Sequence, residues 1–147
     1  MTKDMRGTAP APVPGEVGRM LARADAELVS AAVATDPAER FVHAHLGALR
    51  AAAAVVALRG RPVRRGRARP VWDQLSDAEP ELAAWSVYFA GGARVRAALD
   101  AGRSDAVDAR RADELLACAE DFRDEVAMLV DPDAGFVRLP GVRTVAS

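Results

Sequence analysis

The chain has 147 residues, the size of one ordinary domain, and its 20 basic and 21 acidic residues leave a net charge of −1. This balance excludes a globally basic nucleic-acid binder but allows a local basic patch. Alanine supplies 33 residues, aromatic residues only 5%, and isoleucine is absent. This composition favours helices and argues against β-sandwiches, barrels and doubly wound sheets.

The sequence carries little sign of metal or cofactor chemistry. A single cysteine, Cys118, excludes an internal disulfide and a cysteine-rich zinc site. We find no glycine-rich phosphate loop, nucleophile elbow or histidine-rich zinc motif, and we predict no metal and no cofactor. No apolar run looks long enough to cross a bilayer, and residues 1–14 lack the apolar part of a secretion signal. We therefore expect a cytoplasmic protein without a membrane partner.

The first half of the chain predicts two helices behind a disordered lead-in. Within residues 1–14, the segment APAPVP at 9–14 alternates proline with small apolar residues, which favours polyproline conformation. The first helix is predicted over Glu16–Ala34, and its apolar stripe consists of Val17, Met20, Leu21, Ala24, Leu28, Ala31 and Ala32. The second is predicted to run to Leu58, because Asp36 suits a helix N-cap and Pro37 the first helical position. Small residues at 51–54 predict close approach of a neighbouring helix.

Residues 59–70 form a basic loop without apolar periodicity, interrupted by proline and glycine. We predict that it contacts phosphate groups of RNA or a nucleotide by charge, and the alternative is a solvated linker. Trp72, which follows it, is either a core residue or a platform for base stacking. The candidate nucleic-acid-binding residues are the six arginines Arg59, Arg61, Arg64, Arg65, Arg67 and Arg69.

The second half predicts a short helical turn at Trp72–Ala78, a helix from Glu79 to Gly102, and a last helix at Ala109–Val130. Residues 131–147 are predicted to form a short irregular tail. The sum is an all-α antiparallel bundle of four to five helices over residues 15–130.

Three segments together resemble a known family. They are TDPAERFVHAHLGALRAAAAV at 35–55, WDQL at 72–75 with PELAAW at 80–85, and ADELL at 112–116 with AEDF at 119–122. Over residues 17–130 the chain resembles small actinobacterial proteins with HEPN (higher eukaryote and prokaryote nucleotide-binding) domains. The resemblance implies a four- or five-helix bundle. It also implies one of two activities. One is metal-independent RNA cleavage by an arginine and a histidine with four to six residues between them, placed across a dimer interface. The other is non-catalytic binding of RNA or a partner protein.

Arg40 and His45 have the spacing that such ribonucleases use, with the histidine as general acid or base and the arginine stabilising phosphorane charge. Five residues along a helix separate the two side chains by about 140°. The alternative is structural: His45 packs at a bundle seam, Arg40 lies exposed and pairs with Asp36 or Glu39, and His43 faces solvent.

We therefore predict a non-catalytic HEPN-like binding module that associates with RNA, a nucleotide or a protein partner, including a second copy of itself as a homodimer. One alternative is a metal-independent HEPN ribonuclease of the toxin or defence type that uses Arg40 and His45. Another is a purely structural protein-interaction bundle.

Overall fold

Five α-helices and no strand occur in the part of the chain that the computed structural model describes, residues 15–59 and 69–132. The helices are α1 (Gly15–Val33), α2 (Pro37–Arg59), α3 (Val71–Ala78), α4 (Ala83–Asp100) and α5 (Ala109–Val130), with single 3₁₀ turns at Pro80–Leu82 and Ser104–Ala106. The predicted all-α bundle is therefore confirmed. The predictions for the lead-in, for loop residues 60–68 and for residues 133–147 lie outside the described residues.

The helix ends follow local chemistry. The Glu39 amide donates to the Asp36 carboxylate at 3.3 Å, and the Arg111 amide donates to the Asp108 carboxylate at 2.8 Å. Each carboxylate thus caps the helix that follows it, α2 and α5 respectively. After α4, Gly102 adopts a φ of +94°, a conformation that suits glycine and ends the helix.

Helix α2 is the central element, in contact with the other four helices. The closest approach of α1 is at Gly47, one turn before the small residues 51–54 at which the sequence predicts it. A Cβ atom on Gly47 would lie 2.7 Å from Cδ2 of Leu28 on α1. By length and composition α2 also resembles a membrane span, so the expectation that no segment is long and apolar enough is wrong. Core helices of soluble proteins pass the same test, and half of the most apolar window of α2 is buried inside the bundle.

The long helices pack with defined directions. Near their first turns, α2 and α5 are joined by Arg40 and Asp113, and near their last turns by Arg59 and the Leu129 carbonyl oxygen. These two helices therefore run in the same direction, and α1 runs opposite to α2. The predicted apolar stripe of α1 is correct except at Ala32, which is exposed because the helix turns that position away from α2.

Aromatic rings fill the centre where α2, α3, α4 and α5 meet. Trp72 and Phe89 stack with ring centres 5.3 Å apart, and Phe122 lies 5.4 Å from Phe89. Trp72 is only 5% exposed. Its role in the core is confirmed, and it does not form a surface for base stacking.

Candidate functional site

His45 lies completely buried between α2 and α4. Its Nε2 atom is 2.8 Å from the backbone carbonyl oxygen of Phe89. A carbonyl oxygen only accepts, so Nε2 carries the proton and donates. A Cβ atom on Gly92 would lie 3.2 Å from Cδ2 of His45, so the α4 backbone rests directly on the ring. His45 is therefore packed as the structural alternative predicts.

The surroundings of His45 keep its ring neutral at pH 7. Burial is the main cause that lowers its pKa below the usual 6.5, and the positive charges of Arg96 and Arg111 lower it further. The hydrogen bond to Phe89 and the negative charge of Asp100 oppose this shift without reversing it. The ring thus offers a fixed donor to the fold and no exposed edge to a substrate.

Arg40 ties three helices together. Its Nε donates to the Ala31 carbonyl oxygen at 3.1 Å and its Nη2 to the Ala34 carbonyl oxygen at 2.5 Å. Its Nη1 pairs with Asp113 of α5 at 2.5 Å. The prediction of an exposed arginine paired with Asp36 or Glu39 is wrong, because the end of α1 and the start of α5 both lie beside this side chain.

Arg40 and His45 point to different parts of the bundle. Arg40 contacts the α1 carboxyl end and α5, whereas His45 faces α4. Their proposed catalytic partnership stays a prediction, and within this chain the fold gives the two side chains separate partners.

The sequence predicts that His43 faces solvent, but its side chain also contacts α1. Its Nδ1 atom lies 2.8 Å from a carboxylate oxygen of Glu27, and its side chain is 38% exposed. Arg50 approaches the other oxygen of Glu27 at 3.4 Å. The sequence does not reveal this contact because it depends on the packing of two helices: Glu27 projects from α1 onto the face of α2 that carries His43 and Arg50.

The two described ends of the basic loop are held by carboxylates. Arg59 pairs with Glu79 at 2.5 Å, and Arg69 pairs with Asp77 at 2.8 Å. The remaining candidates, Arg61, Arg64, Arg65 and Arg67, lie outside the described residues. Phosphate binding by the six arginines stays a prediction.

Sequence reasoning misses a second group of basic side chains, at the seam of α2, α4 and α5. The guanidinium of Arg111 lies 5.3 Å from the ring centre of Phe41, and its Nη1 donates to the Tyr88 hydroxyl at 3.1 Å. Arg96 projects from α4, with its Nε 3.8 Å from Asp100. Helical spacing alone could not reveal the Arg111 contacts, because Arg111, Phe41 and Tyr88 come from three helices and arginine is common throughout the chain.

No three histidine, cysteine or acidic side chains are placed to hold a metal ion in residues 15–59 and 69–132. The acidic side of α5 is exposed at Asp113, Glu114, Glu120, Asp121 and Glu125, whereas Asp124 is half-buried.

Comparison with known proteins places this arrangement in a family. The family described as SAV_6107-like HEPN matches residues 31–127, from the last turn of α1 to the last turn of α5. No curated protein and no solved structure matches the chain. The match covers more than half of the sequence and includes all three segments of the resemblance, at 35–55, 72–85 and 112–122. The chain therefore belongs to the HEPN family.

Proposed function

We propose that this HEPN domain binds single-stranded RNA without cleaving it. HEPN domains are associated with nucleotide binding or ribonuclease activity. The observation that carries the non-catalytic half of the proposal is that both residues with the ribonuclease spacing already serve the fold. His45 is completely buried, and Arg40 is bound through all three guanidinium nitrogens.

The chemistry of RNA cleavage supports this assignment. A general base must reach the substrate hydroxyl and accept its proton. The Nε2 atom of His45 already carries a proton and gives it to Phe89, while burial disfavours a charged imidazolium. Arg40 would have to leave two carbonyl oxygens and Asp113 before it could stabilise a phosphorane.

The basic loop supplies the binding half of the proposal. Arg59 and Arg69 are each neutralised by a carboxylate, so these two would anchor the loop ends. Arg61, Arg64, Arg65 and Arg67 then provide the charge for phosphate contacts. No aromatic residue stands among them. Binding would therefore depend on charge, tolerate many sequences and weaken with salt.

Fluorescence anisotropy with labelled single-stranded RNA tests this proposal at several salt concentrations. Replacing Arg61, Arg64, Arg65 and Arg67 by glutamine should weaken binding. It should also reduce the salt slope by about 0.7 for each lost phosphate contact. The matched control replaces four exposed arginines elsewhere, Arg19, Arg23, Arg94 and Arg110, and changes the net charge equally.

The control variant should retain most of the affinity. Equal losses in both variants would mean that net charge, not the loop, governs binding. No binding of wild-type protein even at low salt would refute RNA as the ligand and favour a protein partner. Light scattering in the same buffer tests the predicted homodimer.

A further inference from the structure

Helix α2 carries an apolar face in addition to the one that it buries in the core. Its residues follow one another at alternating intervals of four and three, so they lie along one side of the helix. None of them is fully buried, and Leu46 and Ala53 do not pack against the core. This outer face of α2 consists of Val42, Leu46, Leu49, Ala53 and Val56.

The middle of the outer face lies between α1 and α4. Along α2, Leu46 stands between His45, which contacts α4, and Gly47, which contacts α1. Successive side chains on a helix differ in direction by about 100°, so Leu46 points between those two helices. Helix α5 contacts α2 on another side, at Phe41. The central leucine of the outer face is therefore left half-exposed on the helix that otherwise forms the centre of the bundle.

A small set of charges borders the outer face on the side of α1. Glu27 is in contact with both His43 and Arg50. Arg50 uses only its Nε in this contact, and its two terminal nitrogens have no hydrogen-bond partner among the described residues. The border thus offers one carboxylate and one guanidinium with unused donors beside an uncharged face. Such a surface complements a copy of itself better than it complements a polyanion or a strongly charged protein.

Two copies of the outer face fit each other along their length. Apolar positions at alternating intervals of four and three interlock as knobs and holes between two helices. An antiparallel pair sets Leu46 of one copy against Leu49 of the other. It also sets Val42 against Ala53, so a larger side chain meets a smaller one at each end of the contact.

Charge favours the antiparallel orientation over the parallel one. Glu39 precedes Val42 by three residues on the same side of α2 and is exposed. A parallel pair would set Glu39 against its own copy, and such like-charge contacts are costly. An antiparallel pair separates the two Glu39 side chains and brings Arg50 of one copy beside Glu27 of the other.

We propose that the outer face of α2 is the interface of a homodimer with antiparallel α2 helices. The partner is a second copy of this chain, and the assignment gives the predicted homodimer a surface. Arg40 and His45 point away from this face, toward α1, α5 and α4. The interface therefore does not join the two residues with the ribonuclease spacing, and it does not depend on RNA binding.

Light scattering of the full chain over a range of concentrations tests the proposal. The wild type should show twice the 15.5 kDa mass of the chain. Leu46→Glu should weaken association by about tenfold or more, since each copy would place an unpaired carboxylate in the contact. The matched controls Val29→Glu and Met128→Glu add the same charge at more exposed apolar positions of α1 and α5 and should stay dimeric. Circular dichroism verifies that each variant is folded.

Disulfide crosslinking in a Cys118→Ala background tests the orientation. A mixture of Leu46→Cys and Leu49→Cys proteins should form a covalent dimer on mild oxidation. Glu39→Cys alone should not. A Glu39→Cys dimer would overturn the antiparallel orientation.

A dimer that survives Leu46→Glu would overturn the outer face as its interface. Wild-type protein that stays monomeric at every concentration would overturn the homodimer itself, and its flotation with phosphatidylcholine vesicles would then identify a membrane as the partner of this face. RNA binding is measured separately. Loss of RNA binding refutes the proposed function and leaves the dimer intact, whereas loss of the dimer leaves the proposed function to its own test.

Discussion

The imidazole of His45 donates a hydrogen bond from Nε2 to the backbone carbonyl oxygen of Phe89 and thereby joins α2 to α4 across the core. The same histidine is the one that ribonuclease spacing would select. Its fixed tautomer and complete burial make it a structural residue of this bundle.

Replacing His45 with alanine should destabilise the protein by about 2–4 kcal/mol, because the change opens a cavity and removes the hydrogen bond that joins α2 to the Phe89 carbonyl oxygen of α4. Urea denaturation followed by circular dichroism measures this loss. His43→Ala is the control and should cost less than about 1 kcal/mol, since the His43 side chain, which contacts Glu27, is 38% exposed. Equal costs would contradict the assigned role of His45.

Stability should depend on the protonation of His45 below pH 6.5. Its folded-state pKa lies below 6.5, mainly because of burial. The unfolded chain therefore takes up a proton first as the pH falls. The free energy of unfolding should then decrease toward lower pH, by at most about 1.4 kcal/mol per pH unit from this residue. Denaturation at pH 7.0 and 5.5 should show a smaller decrease for His45→Gln than for the wild type.

Arg40 should contribute to stability through the carbonyl oxygens of Ala31 and Ala34. Arg40→Ala removes charge-assisted hydrogen bonds to both carbonyls, so it should cost about 1–3 kcal/mol. Asp113→Asn should cost about 1 kcal/mol or less, because that carboxylate is 60% exposed. Thermal melts of both variants show which substitution lowers the stability more. A larger loss of stability for Asp113→Asn than for Arg40→Ala would contradict the prediction.

Two glycines should respond to alanine with opposite signs. A Cβ atom on Gly47 would meet Leu28 at 2.7 Å and the Ala24 carbonyl oxygen at 3.3 Å, so Gly47→Ala should force α1 and α2 apart and lower stability. Gly18 faces open space on α1, and alanine there should stabilise the helix by up to about 1 kcal/mol. Thermal melts of the two variants and the wild type test this prediction. A higher melting temperature for Gly47→Ala than for the wild type would refute the close packing of α1 and α2.

The sequence predicts contacts between residues close in the chain, and it does not predict contacts between helices that are far apart in the chain. Asp36 is predicted to cap a helix, and the structure confirms it through the amide of Glu39, three residues away. Asp108 caps α5 in the same local way. The partner of Arg40 lies 73 residues further along, at Asp113, and could not be chosen from sequence among so many acidic residues. Glu27 beside His43 is a similar case.

In the candidate sites too, local features are predictable from the sequence and tertiary contacts are not. The burial of His45 follows from the apolar stripe of α2, but its bond to Phe89 depends on where α4 crosses. The contacts of Arg111 with Phe41 and Tyr88 join three helices and carry no motif, so only the fold reveals them.

The most direct test of the proposed function incubates the purified protein with labelled single-stranded RNA in the presence of EDTA. Anisotropy and a denaturing gel are then read from the same sample. We predict salt-sensitive binding with the RNA left intact. Cleavage by the wild type that is lost in correctly folded His45→Ala and Arg40→Ala proteins would contradict this account and establish a ribonuclease.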